Sequence, residues 1–227
     1  MVALDAVRTG RWVGAAILFT FVVGMLSNFK LQTDLFAGEG LLVNGAAYPL
    51  RIGWVAVLGL ATSLVSVATA ATMYVFAGRA QPLPAMIYCM LAAATLATGV
   101  IESATLLAFR TVSEQFAAAG APPDVAYQVA KKTLSGLRNG VHFLHVMLGG
   151  IGLLAFFVLL YRARLVPVAL ALAGIVAAPV QMFAVGGPLF GAGVIYALLA
   201  PLGLVYLALA VWLLVKGFAG ERPGAAS

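Results

Sequence analysis

Six uninterrupted apolar runs constrain this chain more than any other feature. They span approximately residues 12–29, 52–77, 83–109, 139–161, 165–187 and 192–215. Each is near the ~20 residues that a helix needs to cross the hydrocarbon of a bilayer. Strict alternation with turns every ten residues or so is absent, which disfavours a β-barrel. A helix satisfies its own backbone polar groups, so six runs of this length imply six transmembrane helices. Composition agrees: 63% of the 227 residues are hydrophobic and only 9% are charged, against roughly 25% charged in a soluble domain. The expected fold is all-α, a polytopic membrane protein forming one six-helix domain over residues 1–227.

The net charge of +6 does not point to nucleic acid, because the 13 Lys and Arg are scattered at the ends of apolar runs. They read as interfacial anchors and topology signals. The expected partner is the lipid bilayer, with a homo-oligomer or a larger membrane complex left open. Cys89 stands alone inside an apolar run, so no intrachain disulfide can form. Arg8 and Arg11 precede the first run, but Ser27-Asn28-Phe29-Lys30 makes a poor cleavage site. The first run therefore reads as an uncleaved signal-anchor.

Arg8, Arg11, Arg79, Arg162, Arg164, Lys216 and Arg222 fall on one side of the spans. Lys30, Arg51, Arg110, Lys131, Lys132 and Arg138 fall on the other, and share their segments with Asp34, Glu39, Glu114 and Asp124. The first group is packed into short segments, where the positive-inside rule acts best. N-in and C-in is the expected orientation, in the plasma (inner) membrane of a bacterium.

Connections differ in length. Gly78 to Pro82 and Arg162 to Arg164 are tight turns, and Gly186 to Gly193 breaks the last apolar stretch through Pro188 and its glycines. Two segments read as long loops, 30–51 and 110–138. In the second, Pro122-Pro123-Asp124 looks like a helix start and Gly136 like its stop. A short amphipathic surface helix is expected from about Val125 to Ser135, with Val125, Val129, Ala130 and Leu134 on its apolar face.

Within the spans there is one acid, Glu102, and the only two histidines are His142 and His145, three apart on one helix face. Ionisable groups inside a span cost at least a few kcal/mol unless partnered, so they invite a functional reading. The third and fourth spans are antiparallel, so depth can be counted from one surface. Glu102 precedes Arg110 by eight residues, about 12 Å. His145 follows Arg138 by seven, about 10 Å, and His142 lies about 6 Å in. Acid and imidazoles therefore match in depth. Arg138, Asn139, Gln181, Asn28 and Tyr196 lie toward the same surface and complete the candidate set for an outward-facing polar pocket. Two hydroxyl stripes, Thr62/Ser66/Thr69/Thr72 and Thr95/Thr98/Thr105, read better as close-packing faces than as ligands.

Two His and one Glu form a three-ligand set that zinc could use. The spacing is not that of an HExxH helix, and a polar lock between the two helices explains the cluster equally simply. Bis-histidine haem is disfavoured, because two histidines on one helical face cannot reach opposite sides of a porphyrin. No catalytic triad order, P-loop or dinucleotide fingerprint occurs. The readings that remain are a binder or carrier of a small molecule or ion, an accessory or scaffold subunit, and a metal-dependent intramembrane hydrolase.

"LLAFFVLLYRARLVPVALALAGIVAA", Leu153 to Ala178, and "LAPLGLVYLALAVWLLVKGF", Leu199 to Phe218, resemble the bacterial integral membrane family of domain of unknown function 4386. Tyr161 to Pro167 and Trp212 to Gly217 carry the resemblance. It is strongest over the last third, and elsewhere it is a hydropathy pattern. The resemblance implies a multi-pass membrane protein and no particular activity. The family's pattern often has a Glu about six residues before that Trp, where this chain has Tyr206, so no role of that acid carries over.

Overall fold

A computed structural model describes residues 5–219, and among the described residues every regular element is helical. Arg222, counted above for orientation, lies outside them. The helices are α1 (Ala6–Leu26), α2 (Thr33–Phe36), α3 (Leu41–Ala47), α4 (Pro49–Ala77), α5 (Pro82–Ala118), α6 (Val125–Arg162), α7 (Val168–Gly186) and α8 (Ala200–Lys216). Among the described residues six helical segments are long and apolar enough to cross a membrane: Ala6–Phe36, Pro49–Ala77, Pro82–Ala118, Val125–Arg162, Val168–Phe190 and Tyr196–Lys216. The chain is a multi-pass membrane protein.

The segment 110–138 is not a loop. Helix α5 continues past Arg110 to Ala118, and α6 runs unbroken from Val125 through Gly136. Asp124 caps the start, accepting a 2.8 Å bond from the Ala126 amide at Oδ1. Gly136 does not stop the helix. A lone glycine costs only about 1 kcal/mol in a helix interior, and no proline follows to end propagation. The 125–135 stretch is thus the opening of α6 rather than a separate surface helix. Of its expected apolar face, Leu134 packs on the core, joined by Tyr127, whereas Val125 and Val129 are exposed.

The segment 30–51 is ordered as well. A π-helical turn, Ser27–Leu31, carries α1 toward α2. Asn44 Nδ2 donates to the Ala37 carbonyl at 2.8 Å and the Asp34 carbonyl at 2.9 Å, tying α3 to the end of α2, and Arg51 pairs with Asp34. The expected break after α7 is present, as a 3-10 turn over Gly187–Phe190 that ends at Gly191 with φ 79°.

The chain divides into two compact units. The first comprises residues 5–19, 65–93 and 146–219. Its core gathers Val13, Met73, Phe156, Phe157, Leu209 and Leu213. Cys89 packs there, half-buried, with its thiol donating to the Ala70 carbonyl. Gly10 admits the backbone of Gly217 and Phe218, and Gly174 admits the ring of Phe157. The second unit comprises residues 20–64 and 94–145, with Leu35, Leu42, Ile52, Leu106 and Phe109 at its core. There α3 seats on α5 through Gly45 and the fully buried Ser113, whose Oγ accepts a 2.7 Å bond from the Ala46 amide.

Candidate functional site

Glu102, Arg138 and His142 meet in the second unit. Glu102 lies on α5, and Arg138 and His142 lie four residues apart on α6, so both α6 side chains share one face toward the acid. Arg138 Nη2 is 3.2 Å from Glu102 Oε1, and His142 Nδ1 is 2.9 Å from the same oxygen. Only 12% of the Arg138 side chain and 15% of that of Glu102 are exposed. A carboxylate only accepts, so His142 donates through Nδ1.

The network extends into the turns after α1. Arg138 Nη2 donates to Gln32 Oε1 at 2.8 Å, and Gln32 Nε2 donates to Asn28 Oδ1 at 3.1 Å. Asn28 is anchored in turn on the Gly24 carbonyl at 3.0 Å. The guanidinium lies 4.7 Å from the centroid of the Phe36 ring, a cation–π contact, and its Nη1 donates to Asn139 Oδ1 at 3.3 Å. Arg138 Nε is buried without a hydrogen-bond partner. Gln32 and Phe36 are absent from the sequence-derived set because the segment read as a loop. Their signal is the i, i+4, i+8 spacing of Asn28, Gln32 and Phe36.

His145 makes its hydrogen bonds elsewhere on α5. Its Nδ1 donates to the Thr95 carbonyl at 3.1 Å, and Thr98 Oγ1 lies 3.1 Å from the same nitrogen. Gly99 opens the space: a Cβ there would stand 3.2 Å from the imidazole Cε1 and from Ser63 Oγ. The Thr95/Thr98 stripe therefore both packs and binds. Both histidines are fixed through Nδ1, which leaves Nε2 as the nitrogen that an ion or ligand would meet. Among the described residues no three His, Cys, Asp or Glu side chains converge as a metal site requires. The set Glu102, His142 and His145 is not assembled as three ligands, because His145 is drawn to Thr95 and Glu102 is engaged by Arg138.

Gln181 and Tyr196 belong to the first unit. Gln181 lies on α7 against Gly150, its Oε1 buried without a partner, and Tyr196 is exposed. A pocket of about 470 Å³ in the second unit is walled by Leu42, Val43, Phe116, Ala121, Gln128 and Lys131 among others, and Glu102, Arg138 and His142 are not among its walls.

No curated protein and no solved structure matches the chain. A family profile does, over residues 12–217, well beyond the C-terminal third that carried the resemblance. The match takes in the first apolar helix from residue 12 onward, the other five and the Glu102 network, and the chain belongs to the family described as Domain of unknown function (DUF4386).

Proposed function

We propose that this protein binds or moves a small polar molecule or ion at the centre formed by Glu102, Arg138 and His142. The reading places it in a bacterial inner membrane, N-in and C-in, with the centre reached from outside. One observation carries it: acid, guanidinium and imidazole meet within membrane-type helices, with both contacts on one carboxylate oxygen. Ionisable groups held inside spans commonly mark solute, ion or proton pathways. His142 and His145 are each held through Nδ1, which leaves Nε2 for an incoming group, and the buried Arg138 Nε–H has no partner of its own.

A second reading is an accessory subunit in which the cluster only locks α5 to α6. The mutual satisfaction of Glu102, Arg138 and His142 favours it. Glu102→Gln combined with His142→Ala separates the two. Bound species and metal content are measured by native mass spectrometry and elemental analysis on the purified full chain. Binding predicts a bound species that disappears in the variant while the helical fold survives. The lock predicts lower stability and an unchanged bound-species profile, and that result removes the binding reading.

Orientation has its own test. A reporter fused after Ser227 is expected to behave as cytoplasmic and one inserted near Gly120 as external. The reverse labelling overturns the orientation and leaves the six spans intact.

A further inference from the structure

On the first unit, the outer face of α8 carries a shallow, open trough of about 480 Å³ formed by Leu207, Ala208, Val211, Trp212 and Val215 of that one helix, with Lys216 at its end. These positions are one helical face, so the trough runs along α8 toward its C-terminus. Its walls are apolar to the last turn, where the chemistry changes abruptly. Lys216 is exposed, and Arg11 of α1 reaches the same turn, its Nη2 lying 3.5 Å from the Val215 carbonyl. Among the described residues no carboxylate pairs with Arg11 or Lys216. More cations gather at this end. The Phe218 amide donates to the Ala6 carbonyl at 3.2 Å, and the Ala219 amide to the Leu165 carbonyl at 2.9 Å. The chain after α8 thereby ties the start of α1 to the turn that holds Arg162 and Arg164.

We propose that this trough is a binding site for an anionic phospholipid, one acyl chain lying along Leu207–Val215 and the phosphate held by Arg11 and Lys216. Charge complementarity selects this occupant. An apolar partner helix would leave both cations without counter-charge, and a free phosphate would leave the trough unfilled. An indole at the boundary between apolar wall and cation suits the headgroup level of a bilayer. The site is independent of the Glu102 centre and stands whichever reading of that centre holds.

The test is lipid retention by the full chain, purified in detergent and measured by native mass spectrometry. Phosphatidylglycerol and phosphatidylcholine of identical acyl chains are offered at equal concentration. Phosphatidylglycerol is expected to be retained preferentially. Arg11→Gln and Lys216→Gln should each weaken it about fivefold, and the pair together about thirtyfold, the electrostatic share of one basic residue near an anionic surface. Val211→Trp, which fills the trough and keeps both charges, should weaken retention too, and Lys131→Gln in the other unit should not. Should Arg11→Gln unfold the protein, the exposed Lys216→Gln carries the comparison. Equal retention of the two lipids overturns the proposal. So does displacement of the lipid by inorganic phosphate at matched concentration, or wild-type retention by Lys216→Gln.

Discussion

Arg138→Ala is expected to be among the most destabilising single substitutions in this protein, at about 3–5 kcal/mol, the range for removing one partner of a buried ion pair. The cost arises from what is left behind. Glu102 would keep only His142, and Gln32 would lose the donor that fills its amide oxygen. Glu102→Gln keeps the shape but leaves the Arg138 guanidinium buried without a counter-charge, so it should fall toward the lower end of the same range of about 3–5 kcal/mol. Replacing both charges at once, Arg138→Met with Glu102→Leu, should restore much of the loss, because no uncompensated charge remains. Unfolding in mixed micelles, arranged as a double-mutant cycle, measures the coupling directly. Additive losses would mean that the two side chains are not a pair in the folded protein.

Gly174→Ala should be the second large effect. A Cβ at Gly174 runs into the ring of Phe157, and Phe157 is fully buried with no free side to retreat to. Forcing extra volume into a packed core costs about 1–3 kcal/mol. Phe157→Ala alone should cost toward the lower end of about 3–5 kcal/mol. In lipid the lost term is mainly packing, since apolar surface gains little by leaving one apolar medium for another. Combined, the two substitutions should be much less damaging than their sum, because the new methyl enters space that the ring vacates. The same unfolding measurement reads this, and a strictly additive pair would contradict the packing of α6 against α7.

Matched depth predicted the meeting of Glu102 with His142, since helix rise is fixed and antiparallel neighbours share a surface from which to count. The same argument turned both imidazoles toward the third span with the acid in reach of at least one, and His142 is that one, while His145 meets α5 at Thr95 and Thr98. The carbonyl that His145 meets belongs to a residue seven positions before Glu102 on α5, about 10 Å along the axis, so the two imidazoles engage different turns. Thr95 offers a backbone carbonyl, and Gly99 leaves room for the ring to reach it. Arg138 read as a residue outside the spans, because a charge was taken to mark the end of a helix. Its partners Gln32 and Phe36 were hidden in a segment whose polarity suggested a loop.

What the sequence determined by itself was the class of the fold and the ends of most apolar runs. Both follow from the cost of exposing backbone polar groups to lipid, which each helix meets alone. Proline and glycine marked the breaks at Pro122–Asp124 and Gly187–Gly191, because their effects are local to the backbone. Gly136 shows the limit of that local rule: with Leu134 packed on the core, it is carried through the first third of α6. Only the tertiary structure decided that both contacts to Glu102 fall on one oxygen, that His145 turns to Thr95, and that Arg11 reaches the last turn of α8. Each depends on side chains distant in sequence, whose contacts are set by how helices rotate about their axes, and rotation is chosen by packing rather than by hydropathy.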